Sequence, residues 1–351
     1  MTVFIVVDTL YKGGAGRVAS LLANSMSERH DVFMFVKEPG INYQIHDNIR
    51  YHVLKDKTKY RLFKIVRRVK DLSRYINEYK PHVIYSFGFV SKYSTFAILF
   101  SHHNNLKVIV SERSDPNSEP PSSIMKMVRN YSFSKADVLV CQTNMAEEYY
   151  KRRIKTKTVV IPNPISSDLP IWKGQNSNKI VTACRLEPQK NIPMLIKAFS
   201  KFSKTHDNYD LEVYGDGSLR SSIQKMIEKM NLSNRIHLMG NNTNIHELLS
   251  ESFMFVLSSD NEGMSNSMLE ALAIGVPSVC TDCPIGGAAM VIKDKVNGML
   301  TPIQDVDKFC EAMLWIVENK DKLPDMSMNA RKIREIQSVK TITKMWEDLM
   351  Q

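Results

Sequence analysis

The sequence predicts an α/β protein made of two doubly wound domains in series, with their strand-end loops facing a cleft between them. Three observations predict it. Short continuous apolar runs alternate with helical stretches. The alternation stops at a proline-containing polar segment and then restarts. The length of 351 residues suits two domains of ordinary size, and 43% hydrophobic residues can fill two cores.

The elements follow in order. TVFIVVD at residues 2–8 is a strand-length apolar run. KGGAG is the turn after it, and RVASLLANSM has helical spacing. DVFMFVK, HVIYSF, LKVIVS, ADVLVCQ and TVVIP follow as further strands, with helical stretches between them. Continuous rather than alternating apolar strands indicate a parallel sheet covered on both faces, hence a Rossmann-like domain. IPNPISSDLPIWKGQNSN, residues 161–178, reads as the linker, from its prolines, glycine and polar residues. The pattern then restarts with strands KIVTACR, DLEVYG, RIHLMG, FMFVLSS and PSVCT. Helices NIPMLIKAFSKFSK, SLRSSIQKMIEKM and MSNSMLEALAIG lie among them.

Charge divides between the halves. The net charge is +10, but residues 1–165 hold 26 Lys and Arg against 14 Asp and Glu, leaving the rest slightly acidic. Residues 59–80 form a basic amphipathic helix, with Leu62, Ile65, Val69, Leu72, Ile76 and Tyr79 at helical spacing. That stripe is expected to pack on the sheet. Lys64, Arg67, Arg68, Lys70 and Arg74, with Lys151, Arg152, Arg153, Lys155 and Lys157, suit an anionic membrane surface. No nucleic-acid recognition motif accompanies the charge. The opening residues lack a basic lead and a long apolar core, so export is not expected. Five scattered cysteines fit reduced thiols in a cytoplasm, and Cys280-x-x-Cys283 lacks further ligands at zinc spacing.

The most informative stretch is SSDNEGMSNSMLEALAIGVPSV. Glu262 sits in a polar loop after a strand, and Glu270 lies in the following helix among Met268, Leu269, Ala271, Leu272 and Ile274. A carboxylate there is costly to bury without a partner. Either Glu270 turns to solvent while its neighbours pack, or it reaches a ligand. The two acids lie about 12 Å apart along a helix axis, a span that fits the two ends of a nucleotide sugar. Between them the helix start offers backbone N–H groups from Met264 to Ser267 to a diphosphate. In CRLEPQKN, Arg185 and Lys190 flank a strand-to-helix turn of the same sheet, either as ordinary surface charges or as phosphate contacts.

R-L-x-x-x-K-N followed about eighty residues later by E-G-x-S-N-x-x-L-E resembles glycosyltransferase family 4, the large retaining family of GT-B fold marked by a Glu-x7-Glu pair. The likeness runs through AIGVPSV, NGML, the VIPNPI segment and the glycine turn at Gly13 to Gly16. VIVSERSDP at residues 108–116 is similar to bacterial enzymes of capsule, exopolysaccharide and O-antigen assembly.

The resemblance implies an acceptor-binding domain over residues 1–165, a donor-binding domain over 166–339, and a final helix at about 340–351 packing back on the first. It implies that Arg185 and Lys190 neutralise the leaving diphosphate, and that Glu270 accepts from the ribose. Glu262, with the amides of Gly263, Met264 and Ser265, would hold sugar hydroxyls, and Gly14 would let a loop approach the diphosphate. Many members carry a His at the strand end that here holds Glu112 and Arg113, so these two are candidates to contact donor sugar or acceptor phosphate.

The implied donor is a nucleotide diphosphate sugar, with UDP the default, and the acceptor a polyprenyl-diphosphate-linked glycan. A peripheral position on the inner face of the plasma membrane follows. No metal is implied, and Asp305-Val306-Asp307 reads as helix-start chemistry. Should the enzyme invert, Glu112 or Asp8 would be the base to test. Three rivals are a nicotinamide dehydrogenase using Gly14-x-Gly16 with Glu38 as the ribose acid, an epimerase or hydrolase of the same fold, and a non-catalytic sugar-nucleotide binder.

Overall fold

A computed structural model describes residues 1–11, 13–54, 60–103 and 105–351. The chain forms two units, Met1–Pro164 with Gln337–Gln351, and Ile165–Ile336.

Unit 1 is built on seven strands: β1 Thr2–Val7, β2 Asp31–Val36, β3 Arg50–Val53, β4 Val83–Phe87, β5 Lys107–Ser111, β6 Val138–Cys141 and β7 Lys157–Val160. Their order is β3-β2-β1-β4-β5-β6-β7, and every pairing is parallel. Neighbouring residues of β1 feed opposite cores. Val3, Ile5 and Val7 join one cluster with Leu22 and Met26 of helix Gly14–Ser27. Phe4 and Val6 join another with Val69, Leu72 and Ile76 of helix Arg61–Tyr79. This double burial is why the strands are apolar throughout. The chain returns to unit 1 through helix Val339–Glu347, whose Trp346 is fully buried against Tyr85 and Phe87, each ring 5.3 Å away.

Unit 2 has six strands: β8 Lys179–Ala183, β9 Asp210–Tyr214, β10 Ile236–Gly240, β11 Met254–Leu257, β12 Ser278–Asp282 and β13 Met299–Pro302. The order is β10-β9-β8-β11-β12-β13, again all parallel. In each sheet the strand order reverses beside the first strand, between β1 and β4 and between β8 and β11. Ligands of open α/β sheets bind at such reversals, outside the carboxyl ends of the strands.

Three expectations change. β3 and β13, both edge strands, are absent from the sequence reading. The segment taken as linker belongs to unit 2 from Ile165 onward: Ile165 and Leu169 enter its core, and Trp172 Nε1 donates to the Ser252 carbonyl at 2.8 Å. In the basic helix, Arg67, Lys70 and Arg74 are exposed, but Arg68 is buried and donates to the Tyr93 hydroxyl at 3.1 Å. Lys12, Lys59 and the Leu62 side chain lie outside the described residues. Among the described residues no helix is long and apolar enough to cross a membrane.

Candidate active site

Arg185 and Lys190 follow β8, and Glu262 to Ser265 follow β11, so unit 2 brings these sequence-predicted residues to its switch point. The two loops are sewn together. The Asp260 amide donates to the Gln189 carbonyl at 2.8 Å, Ser258 Oγ to the Lys190 carbonyl at 2.9 Å, and Asn191 Nδ2 to Asp260 Oδ1 at 2.9 Å. Asn191 sits in the left-handed region at φ 43° and caps helix Ile192–Phe202 by accepting from the Met194 amide. This sharp turn carries Lys190 inward, where its ammonium pairs with Glu262 Oε1. Ser259 Oγ donates to the same oxygen at 2.9 Å. Cys283 Sγ and Thr281 Oγ1 both donate to the Ser259 carbonyl. Thr281 and Cys283 are therefore a buried brace for the Glu262 loop, and burial pushes the Cys283 thiol up to about 12.

Helix Asn266–Ile274 starts at this loop with no side-chain cap at Ser265, and Gly275 at φ 90° ends it. Gly263, Met264 and Ser265 are buried, and Met264 enters the core. Gly287 presses on the loop so closely that a Cβ would lie 1.9 Å from the Gly263 carbonyl oxygen, so only glycine fits there. Glu270 is buried, and neither solvent nor core alone answers its charge. Its Oε2 meets His246 Nε2 of helix Ile245–Glu251 at 2.9 Å. Arg185 is exposed beside this assembly. Asp305 caps helix Val306–Glu318 by accepting from the Lys308 amide at 2.9 Å, and Asp307 pairs with Lys201.

Unit 1 treats its candidates differently. Gly14 is exposed at the start of its helix, and Gly16 lies so close to the loop after β1 that a Cβ would meet the Thr9 carbonyl oxygen at 2.3 Å. Glu112 corrects the expectation of a ligand contact. Its carboxylate is 4% exposed and accepts from the Arg113 and Ser114 amides at 2.9 and 3.1 Å and from the Tyr150 hydroxyl, with Arg129 at 3.5 Å. Burial pushes its carboxyl above the ordinary range, while Arg129 and these donors pull it back. It is an internal anchor, unsuited to be a base. Asp8, the other fallback base, pairs with Lys37 at 2.6 Å, and Lys37 also holds Glu38. Arg113 is half-buried, bonds Ser111 Oγ at 3.3 Å and Asn163, and keeps a buried Nε with no hydrogen-bond partner.

The sequence missed His246, Ser259, Asp260 and Gly287. An i, i+3, i+4 apolar pattern of Ile245, Leu248 and Leu249 places His246 off that stripe, and nothing in the sequence ties it to Glu270.

Two doubly wound units in one chain, with paired charges and a helix start without a side-chain cap at a switch point, define an α/β enzyme of GT-B class. The family model described as Glycosyltransferase Family 4 matches residues 12–169, and that described as Glycosyl transferases group 1 matches residues 171–333. The chain belongs to the GT-B glycosyltransferases of the family 4 type. It is 24% identical over 340 residues to GalNAc-alpha-(1->4)-GalNAc-alpha-(1->3)-diNAcBac-PP-undecaprenol alpha-1,4-N-acetyl-D-galactosaminyltransferase of Campylobacter jejuni, covering 95% of this chain and 93% of that one. It is 23% identical over 353 residues to the amylovoran biosynthesis glycosyltransferase AmsD of Erwinia amylovora, covering 96% of each. The Anabaena Alr3699/HepE structure in complex with UDP shares the fold, with a TM-score of 0.84, 17% identity, and coverage of 100% of this chain and 99% of that one. The nicotinamide reading falls with this family assignment.

Proposed function

We propose that the chain is a retaining transferase that moves a hexose or N-acetylhexosamine from a uridine diphosphate donor to a polyprenyl-diphosphate-linked glycan. The product belongs to bacterial surface polysaccharide, of the capsule or O-antigen kind. The observation that carries this is the joining of the β8 and β11 loops, with Lys190 against Glu262 and Glu270 against His246. The relatives support it. The Campylobacter enzyme is named for an undecaprenol-linked acceptor, the Erwinia enzyme for amylovoran, and the Anabaena structure holds UDP.

In this scheme the donor diphosphate competes with Glu262 for Lys190, and Arg185 and the start of helix Asn266–Ile274 complete the anion site. Glu262, once released, accepts from sugar hydroxyls together with the amides of Gly263, Met264 and Ser265. Glu270 receives the ribose hydroxyls. The bond from the anomeric carbon to the leaving phosphate oxygen breaks while the acceptor oxygen bonds to that carbon on the same face. The departing phosphate oxygen takes the acceptor proton. Charge on the diphosphate is met by fixed cations and amides, with no metal in the scheme. Gly14 gives its loop close approach to a phosphate, and the half-buried Arg113 meets a phosphate of the acceptor. Such an acceptor sets the chain on the inner face of the plasma membrane, its basic unit 1 toward anionic headgroups.

The test is a panel of UDP sugars with wild type and Lys190→Ala, with the product anomer read by NMR. Slow donor hydrolysis, retention and a 10²–10³-fold loss in the variant are expected, typical of removing one charge-stabilising donor. Undiminished turnover by Lys190→Ala would remove the assigned role. An epimerised free sugar as the product would replace transfer with the rival chemistry.

A further inference from the structure

Helix Ser123–Ser134 is built inside out. Its inward face carries Arg129 and Ser132 beside Phe133. Arg129 faces Glu112 at 3.5 Å and donates to the Pro116 carbonyl at 3.1 Å, to the Glu119 carbonyl and to the Tyr149 hydroxyl. Ser132 Oγ bonds Thr95 Oγ1 at 2.8 Å. The outward face carries an i, i+3, i+4, i+7 apolar stripe: Ile124, Met127, Val128 and Tyr131, exposed by 72%, 69%, 37% and 53%. A helix of a water-soluble domain normally turns such a stripe inward. Here rotation is blocked, because it would tear Arg129 from Glu112 and leave two uncompensated buried charges.

The surroundings extend the patch. The Phe96 ring lies 6.2 Å from that of Tyr131, and Leu99 and Phe100, one turn further on, are exposed. The helix contains no acidic residue. Beside the stripe lies an open depression of about 440 Å³ lined by Lys126, Met127, Tyr131, Arg153 and Ile154 among others. Lys135 lies over the Tyr131 ring at 5.3 Å. Aromatic and aliphatic side chains flanked by cations suit a bilayer interface, the rings and aliphatics entering the acyl boundary and the cations meeting phosphates.

We propose that this face of unit 1 is a membrane-insertion surface for an anionic bilayer, with Ile124, Met127, Val128 and Tyr131 seated below the headgroups and Lys126, Lys135 and Arg153 among them. It rests on the proposed lipid-linked acceptor and moves the point of attachment away from the basic helix at 59–80. That helix buries Val69, Leu72 and Ile76 of its stripe and exposes Phe63 and Val66 beside it, whereas this one presents its whole stripe.

Flotation of the full chain with phosphatidylglycerol–phosphatidylcholine vesicles and with phosphatidylcholine alone tests it. The variant is Ile124→Ser with Met127→Ser and Tyr131→Ser, all surface positions, and UDP-induced thermal shift is read on the same samples. Expected are flotation with the anionic vesicles, weaker flotation with phosphatidylcholine, and at least about a tenfold lower partition for the variant with its UDP shift unchanged. Equal partition of variant and wild type, or of the two vesicle types, would overturn the surface. Failure of wild type to float while the UDP shift persists would overturn it and leave the transferase reading intact. Flotation without any UDP shift would do the reverse. A wild-type dimer that the variant disperses in sedimentation velocity would make the face a self-interface and also overturn the proposal.

Discussion

Each unit holds a glutamate just beyond a parallel strand, and their fates differ. Glu262 follows β11 at the switch point of unit 2, while Glu112 follows β5, one strand beyond the switch pair β1 and β4 of unit 1. Glu262 shares one oxygen with a lysine of the neighbouring loop and a serine of its own. Glu112 is sealed by two amides, a tyrosine and an arginine. The same residue type at the same end of a sheet is thus ion-paired across two loops at a switch point in one place and sealed inside the unit in the other. Topology separates the two: Glu262 lies where the strand order reverses and pairs with Lys190 of the neighbouring loop, whereas Glu112 lies one strand beyond the reversal.

The largest effect that can break this contrast is on stability. Glu112→Ala leaves Arg129 buried without its countercharge and should cost about 3–5 kcal/mol in urea unfolding. A loss below 1 kcal/mol would mean that Glu112 is not the anchor described. Next, Lys190→Ala should lose about 2–4 kcal/mol of transition-state stabilisation, read as kcat/KM, while its unfolding midpoint stays near wild type. A stability loss as large as that of Glu112→Ala would make Lys190 scaffold as well. Third, Glu270→Gln keeps its shape but loses the charge facing His246. About tenfold weaker UDP binding by calorimetry is expected, roughly 1.4 kcal/mol, and unchanged binding would detach Glu270 from the donor site.

The smallest effect is pH dependence. Burial holds the His30 and His52 imidazoles of unit 1 below their ordinary 6.5, against the opposing pull of Glu347 and Asp71. The unfolded chain therefore binds these protons first. The stability they confer is full above 6.5 and is lost as pH falls toward their lowered folded values. His52→Phe, which keeps the ring stack on Phe35, should flatten that acid limb. An unchanged limb would assign the acid sensitivity elsewhere.

The central strands were legible because burial on both faces makes them apolar throughout, as in FIVV and FMFV. β3, RYHV, was not, because an edge strand half open to water carries charge and histidine and loses the signal. β13, MLTP, is short and ends in proline for the same reason. In the site, the loop positions of Arg185, Lys190 and Glu262 could be read from spacing. The partners of Glu270 and Glu112 could not. His246 lies 24 residues from Glu270, and Tyr150 lies 38 from Glu112, so only the fold brings each pair together. The stripe of helix Ser123–Ser134 has the period of a buried face, and sequence cannot say that Arg129 turns it outward.

Amide hydrogen exchange with and without UDP tests the contrast most directly. The account predicts slowed exchange in residues 185–191 and 259–270 and none at residues 112–114. Protection at 112–114, with no change across 259–270, would contradict it.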